Sequence, residues 1–145
     1  MFSFKRRVAY HETDAMGVVH HSNYVRYFEE ARVAWMRELK LTEIHTPVGP
    51  YTFAVIGLAV EYMKSARFDD EIEVFVEGRL TGARIQFRYA IRCARLDGWL
   101  TKGHTDLVPL DAQMKPTRLP REAVAVFRSA PWSDVSMEAW PPAPQ

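Results

Sequence analysis

The chain contains one long segment with helical periodicity, and the segments that follow it have the patterns of β-strands. Apolar side chains recur every three or four residues from Tyr24 to Leu39, which predicts an amphipathic helix with one buried face. Ser22 or Asn23 is expected to cap its start, and the helix is expected to reach Leu41. A single long helix among strand-like segments favours a fold in which this helix packs on a sheet.

Four strand-like segments follow this helix and are joined by short links. Residues 53–63 are almost continuously apolar, which favours a central strand, and Gly57 within them indicates a bulge or a close approach of another backbone segment. Residues 71–77, 84–93 and 99–110 alternate in the pattern of strands with one solvated face. Parallel strands need long crossovers that these links do not provide. The sequence therefore predicts an α+β domain with an antiparallel sheet.

The rest of the chain is expected to complete one domain. Residues 2–10 alternate as a half-buried strand before the helix, and residues 120–128 are predicted to form a short closing helix that starts at Pro120. A chain of 145 residues with 48% hydrophobic residues has the usual size and composition of one domain. We therefore expect a single domain over residues 1–130. The tail over residues 131–145 holds two tryptophans, which indicates that it packs on another part of the molecule.

Charge and cysteine content exclude several classes of function. The formal net charge of +1 gives no basis for electrostatic binding of nucleic acids or acidic membranes. Cys93 is the only cysteine, so no intramolecular disulfide can form, and its alternating apolar context predicts a buried, inert thiol. The N-terminus lacks the apolar segment of a secretion signal, and no segment stays apolar for the roughly 18 residues of a membrane span. These features predict a cytoplasmic protein.

The segment immediately before the long helix brings together the groups of a reaction centre. Asp14 and His21 flank Gly17, which permits a tight turn. The helix start behind them offers unpaired backbone N–H groups and the positive end of the helix dipole, which suit a developing oxyanion. Residue type and spacing alone favour a simpler interpretation, in which Asp14 is a loop acid that caps a turn. The histidines of this segment do not have the spacing typical of metal ligands on a helix.

The segment Tyr10–Tyr24 and its continuation over Tyr27–Arg32 resemble the signature of the hotdog-fold thioesterases. The resemblance is to the branch that contains the 4-hydroxybenzoyl-CoA thioesterases and the acyl-CoA thioesterases associated with the Tol-Pal operon. It covers most of residues 4–120, and the complete set of motifs is more specific than any one of them. The supporting motifs are Glu61-Tyr62, Ala66-Arg67-Phe68-Asp69-Asp70, the segment from Gly103 to Val108, and the segment from Pro116 to Pro120.

This resemblance implies both a fold and a reaction. A five-stranded antiparallel sheet is expected to wrap around the long central helix. Asp14 is expected to be the catalytic carboxylate, as nucleophile or as general base, with His21, Tyr10 and Ser22 as further members of the site. Backbone N–H groups around His21 and Ser22 are expected to form the oxyanion hole. The reaction is hydrolysis of an acyl-CoA or acyl-carrier-protein thioester, and it needs no metal or redox cofactor because coenzyme A is part of the substrate.

Coenzyme A carries phosphates, so basic side chains are expected at the mouth of the cleft. The candidates are Arg67, Arg84, Lys115 and Arg118. Arg84 alternates along one strand with two further arginines, and an alternative for this face is an outer sheet surface or a contact between subunits. The resemblance also implies a homodimer that joins two sheets, with the sites at the subunit interface, and commonly a homotetramer.

Two other functions fit the same sequence. A hotdog domain that binds acyl-CoA or acyl-carrier protein without turnover would release no thiol. A hotdog lyase that acts on a hydroxyacyl thioester would form an enoyl product, again without free thiol. The acyl group, whether aromatic, short or long, depends on side chains from two subunits and does not follow from the sequence.

Overall fold

A computed structural model describes residues 1–43 and 52–142. The five expected strands and both expected helices are present in this part of the chain, and Pro120 is the N-cap of the second helix. No helix in it has the length and apolar character needed to cross a membrane. The strands are β1 (Ser3–Arg7), β2 (Phe53–Tyr62), β3 (Glu71–Thr81), β4 (Arg84–Cys93) and β5 (Thr101–Pro109), and the helices are α1 (His21–Glu38) and α2 (Arg121–Ser129).

The five strands form one antiparallel sheet in the order β1-β3-β4-β5-β2. The long helix α1 lies across one face of this sheet, which confirms the predicted α+β class with a central helix. Phe28 of α1 stacks on Tyr89 of β4 with 4.4 Å between ring centroids, and Trp35 meets Phe87 edge-on at 5.3 Å. Burial of a side chain such as Phe28 contributes about 1.5–3 kcal/mol, so these rings hold α1 against the sheet.

β2 lies at an edge of the sheet, so the prediction of a central strand over residues 53–63 is wrong. Within the described residues β2 pairs only with β5, and its side chains Val55 and Leu58 are 52% and 49% exposed. A continuous apolar run has no period, and it therefore does not distinguish a strand between two neighbours from a strand with one open, apolar edge. The bulge expected at Gly57 is confirmed, because the register shifts between Val55 and Gly57.

The N-cap of α1 also differs from the prediction. It is His20 rather than Ser22 or Asn23, and the helix begins at His21. His20 Nδ1 accepts the Ser22 N–H at 3.2 Å. At the other end, Lys40 has a φ of 58°, and this left-handed residue ends the helix short of its expected length.

Gly103 of β5 lets α1 and β2 approach the strand closely. A Cβ atom at this position would lie 2.6 Å from the Ala59 carbonyl oxygen and 2.7 Å from Phe28 Cε2. We expect Gly103→Ala to lower the free energy of unfolding by about 1–3 kcal/mol, because both neighbours are fixed. Chemical denaturation measures this loss. Gly57→Ala is the matched control, since its Cβ would meet only the Asp106 side chain, at 3.3 Å; an equal loss in both variants would contradict the explanation.

The tail of the chain covers the outer face of the sheet, opposite α1. Arg88 of β4 and Glu77 of β3 form an ion pair there, with 2.8 Å between Arg88 Nη2 and Glu77 Oε2, and both side chains are buried. Trp132 and Trp140 lie over the Arg88 guanidinium at 4.1 and 4.7 Å. Ser133 donates its N–H and its hydroxyl to the Glu77 carboxylate. The two tryptophans therefore pack on the sheet, as their presence in the tail indicates.

The charges on this outer face are held in fixed states. Burial alone would raise the pKa of Glu77, but the hydrogen bonds from Ser133 and Arg88 outweigh burial and lower this pKa overall. Glu77 is therefore ionised at neutral pH. Arg92 lies on the same face and pairs with Glu73 at 2.6 Å. The arginine-bearing face of β4 is the outer surface of the sheet in this single chain, and residues of the tail cover its centre.

Candidate active site

Asp14 lies in a tight turn just before α1. Its carbonyl oxygen accepts the Gly17 N–H at 3.0 Å, its own N–H donates to the Val18 carbonyl at 2.8 Å, and Gly17 has a φ of 79°. The carboxylate oxygen Oδ1 accepts the Met16 N–H at 2.8 Å. The other oxygen, Oδ2, accepts no hydrogen bond from a described residue. Asp14 therefore caps its own turn with one oxygen and leaves the second open to water or a substrate.

The start of α1 offers an open backbone N–H. Ser22 donates its N–H to His20 Nδ1, and Asn23 donates its N–H to the His20 carbonyl. The His21 N–H has no acceptor in the described part of the chain. It lies at the positive end of the helix dipole, which adds to its strength as a donor to an anion. The N–H groups of His21 and Ser22 are expected to form an oxyanion hole. The His21 N–H is open, whereas the Ser22 N–H already donates to His20.

Glu12, which residue spacing does not single out, joins this turn to α1. Its carbonyl oxygen accepts the His20 N–H at 2.9 Å and the Asn23 side-chain N–H at 2.8 Å. Its buried carboxylate forms an ion pair with Arg6. The chain on both sides of Asp14 is thereby fixed relative to the first turn of α1. The sequence signals this role of Glu12 only by an acidic residue two positions before Asp14. Acidic residues are common in loops, so this signal does not identify Glu12 as the residue that fixes the turn.

A partly buried cluster around Arg6 supports Glu12. Arg6 also pairs with Glu30, with 2.7 Å between Arg6 Nη1 and Glu30 Oε1, and its guanidinium lies 4.7 Å from the centre of the Tyr27 ring. Burial would lower the pKa of Arg6, but the carboxylates of Glu30 and Glu12 raise it overall. Burial and the neighbouring Glu12 charge raise the pKa of the Tyr27 hydroxyl. Arg6 is therefore charged and Tyr27 neutral at neutral pH, so the cluster acts as a fixed support for the turn.

The segment after β2 holds the other side of the Asp14 turn. Val19 donates its N–H to the Ala66 carbonyl at 2.9 Å. The next residue, Arg67, forms an isolated antiparallel β-bridge with Val18. These contacts place the Arg67 backbone beside Val18, within the turn that Asp14 opens.

Tyr10 lies at the rim of the turn. It is 77% exposed, and its ring meets Phe68 edge-on with 5.6 Å between centroids. Met16, at the tip of the turn, is 81% exposed. No described residue forms a hydrogen bond with the Tyr10 hydroxyl. The structure therefore places the Tyr10 side chain in an exposed apolar rim near Asp14, and only the Tyr10 backbone takes part in the hydrogen bonds of the turn, as the acceptor for Thr13.

The side chains at the start of α1 point to different partners. The Ser22 hydroxyl lies 2.8 Å from His20 Nδ1, so it belongs to the cap of the helix. The His21 ring is exposed and lies 4.2 Å from the His20 ring and 6.4 Å from the Tyr62 ring. Among residues 1–43 and 52–142, no group of three or more His, Cys, Asp or Glu side chains is placed to hold a metal ion.

The other three candidate cations lie at the opposite end of the sheet from the Asp14 turn. Arg84 is the first residue of β4, and Lys115 and Arg118 follow the end of β5. The Asp14 turn lies instead near the start of β3. β3 has 11 residues, and a strand of that length spans about 33 Å at about 3.3 Å per residue. A single chain therefore does not bring these three cations together with Asp14.

Comparisons with known proteins agree with this fold. A family model described as "Thioesterase superfamily" matches residues 16–96. The acyl-CoA thioesterase YbgC from Haemophilus influenzae is 36% identical over 129 residues, which cover 87% of this chain and 93% of that protein. The crystal structure of a hypothetical protein from Aquifex aeolicus superposes with a TM-score of 0.75 at 31% identity, covering 88% of this chain and 99% of the other.

A further solved structure extends the agreement in fold. The 1,4-dihydroxy-2-naphthoyl-CoA thioesterase from Synechocystis has a TM-score of 0.75 at 21% identity, and the superposition covers 88% of this chain and 96% of the other. The family model matches more than half of the chain, and the Haemophilus relative aligns with most of it. The arrangement of one long helix on a five-stranded sheet is therefore that of the hotdog-fold thioesterases, and the chain belongs to the thioesterase superfamily.

Proposed function

We propose that this chain hydrolyses acyl-CoA thioesters to a free carboxylic acid and coenzyme A. The observation that carries the proposal is the open carboxylate oxygen of Asp14 in a turn fixed to the helix start that bears the open His21 N–H. The YbgC relative, named an acyl-CoA thioesterase, supports the substrate class. Coenzyme A is part of the substrate and hydrolysis transfers no electrons, so the proposed reaction uses no resident cofactor. We place it in the cytoplasm, where a reduced thiol such as Cys93 persists.

Asp14 and His21 take different parts in the proposed reaction. The His21 N–H donates a hydrogen bond to the thioester oxygen as negative charge develops on it, and one such donor lowers the barrier by about 2.7–4 kcal/mol. Asp14 Oδ2 either removes a proton from the attacking water or attacks the carbonyl carbon itself. In both routes the C–S bond breaks, and the sulfur gains a proton and leaves as the thiol of coenzyme A. In the first route water adds directly to the carbonyl carbon; in the second the attack by Asp14 forms a mixed anhydride, which water then cleaves to the free acid and the Asp14 carboxylate.

Tyr10 and Ser22 have supporting parts in this proposal. Tyr10, with Phe68, borders the apolar rim where the acyl group would enter. Ser22 donates to His20 and keeps this cap in place, so that the neighbouring His21 N–H stays open. Neither side chain donates or removes a proton in the proposed reaction.

We also propose that the active unit contains two copies of the chain joined at β2. The open edge of this ten-residue strand carries half-exposed apolar side chains, which suits pairing with a second β2. Two copies of one strand related by a twofold axis pair in the antiparallel sense. The Asp14 turn of each copy would then lie beside one end of the second copy's sheet. This is the end that carries Arg84, Lys115 and Arg118. These cations, with the local Arg67, would bind the phosphates of coenzyme A.

Leu58→Lys is expected to separate the two copies and to reduce hydrolysis on the order of 10²-fold, because binding groups supplied by the second copy are lost. A lysine on a strand edge opposes pairing with another strand. Light scattering measures the mass, and thiol release measures the rate. Ala125→Lys, on the exposed surface of α2, is the matched control and should change neither. If Leu58→Lys had the same mass in solution as the wild type, the proposed β2 contact would be contradicted. The mass of the wild type itself distinguishes a dimer from a tetramer made of two such dimers.

Thiol release tests the proposed function directly. Aliphatic acyl-CoAs, aromatic acyl-CoAs and an acyl-carrier-protein thioester are incubated with the full chain, and free thiol is followed with a disulfide reporter. Cys93 is buried, so the folded protein itself adds little signal. Release of acid and thiol in equal amounts supports the proposal. An enoyl product without thiol would assign a lyase instead, and binding of acyl-CoA without any product would assign a binding module.

A further inference from the structure

We infer that Tyr62 is a positioning residue for the oxyanion donor, an inference that rests on the proposed thioesterase function. Tyr62 is the last residue of β2, and its hydroxyl donates a hydrogen bond to the His21 carbonyl at 3.0 Å. His21 is the first residue of α1 and carries the open N–H. Tyr62 therefore contacts the backbone of the residue that meets the developing negative charge, although it lies on a different element of the fold.

The Tyr62 contact is one of several that join the end of β2 to the first turn of α1. The Tyr62 ring meets the Tyr24 ring at 5.5 Å and the His21 ring edge-on at 6.4 Å. The Tyr24 hydroxyl accepts the Ala66 N–H at 3.1 Å, and the Ala66 carbonyl accepts the Val19 N–H at 2.9 Å. β2 and the segment that follows it thus hold the start of α1 through three hydrogen bonds. The one from Tyr62 is made to His21 itself.

A helix start needs such contacts from outside because its first N–H groups have no partners within the helix. His20 accepts hydrogen bonds from the N–H groups of Ser22 and Asn23, whereas the His21 N–H has no acceptor among the described residues. The orientation of His21 therefore depends on its other contacts. A displacement of about 1 Å in a catalytic group can reduce a rate on the order of 10²-fold. Tyr62 is 48% exposed, so its ring adds less to the core than a buried tyrosine does. Its hydroxyl contact is therefore better explained by the geometry of the site than by packing.

The test compares Tyr62→Phe with Tyr89→Phe in the full chain. Both variants remove one hydrogen-bonded tyrosine hydroxyl, and that of Tyr89 contacts Thr105 and Arg32 rather than the start of α1. We expect Tyr62→Phe to lower kcat by about tenfold, within the range for a small displacement of a catalytic group, with KM changed by less than about twofold. Tyr89→Phe should keep both constants and lose only thermal stability. A wild-type kcat in Tyr62→Phe, an equal loss of kcat in both variants, or a change in KM alone would overturn the inference.

Hydrogen exchange provides a readout that does not depend on activity. The backbone amides of residues 22–26 are expected to exchange faster in Tyr62→Phe than in the wild type or in Tyr89→Phe, because the first turn of α1 opens more often without the strand contact. Unchanged exchange in this segment would overturn the inference, whatever the substrate. Absence of thiol release from the wild type would instead contradict the proposed function, so the two failures are distinguishable.

Discussion

Asp14→Asn is expected to reduce kcat for acyl-CoA hydrolysis by about 10²- to 10⁴-fold, the contribution of a positioned acid or base. The asparagine side-chain oxygen can still accept the Met16 N–H, so the turn keeps its cap. The amide that replaces Oδ2 can neither remove a proton from water nor attack the thioester carbon. Thiol release at saturating substrate measures the change, and KM should change much less than kcat.

Asp69→Asn is the matched control for this experiment. Asp69 is an exposed acid in the segment that holds the Asp14 turn, and its φ of 67° is a conformation that asparagine tolerates. Its carboxylate lies 3.9 Å from Arg7, a surface pair of small energetic value. The control should therefore retain wild-type kcat. Wild-type kcat in Asp14→Asn would rule out the carboxylate as the catalytic group, and equal losses in both variants would point to the shape of the loop.

Arg88→Met is expected to lower the free energy of unfolding by about 3–5 kcal/mol, because it leaves the Glu77 carboxylate buried without its cation. Arg88 is 1% exposed, so water cannot replace the lost partner. The variant also loses the rings of Trp132 and Trp140 as partners of the guanidinium. Chemical denaturation measures the loss, and tryptophan fluorescence reports whether the tail leaves the sheet.

Arg92→Met provides the comparison for a less buried pair. About a third of the Arg92 side chain is exposed, so we expect a loss of about 1 kcal/mol or less. The double variant Arg88→Met with Glu77→Met should recover part of the stability lost in Arg88→Met, because no unpaired charge remains inside. Equal losses for the Arg88 and Arg92 variants would show that burial by the tail does not govern the strength of these pairs.

Periodicity predicted most of the fold. The alternating patterns placed β4 and β5 close to their observed bounds and the start of β3 correctly, although β3 continues to Thr81 rather than ending at residue 77, and the apolar stripe that begins at Tyr24 identified α1. These patterns are local and directly reflect which face of an element is buried. The edge position of β2 could not be predicted in this way, because strand order depends on pairing between distant segments, and a continuous apolar run fits both an inner strand and an open edge.

The candidate site was predictable in location but not in detail. The turn residue Gly17 and the helix after it located Asp14 correctly before α1. Which of its oxygens stays open depends on the Met16 N–H, and which helix N–H stays open depends on the ring of His20; neither follows from residue spacing. The anchoring role of Glu12 depends on long-range contacts with Arg6 and α1, so it also required the structure.

β1 differs from β2 in a way that limits how far the sheet can grow. It has only five residues, and three of them are the consecutive basic residues Lys5, Arg6 and Arg7. A short, basic edge disfavours the addition of another strand, whereas a long, apolar edge invites it. In a pair of copies joined at β2, each of the two outer edges of the combined sheet would be a β1 strand. Strand addition would then close at two copies, and a chain that pairs with itself in the proposed way would resist open-ended, fibre-like association.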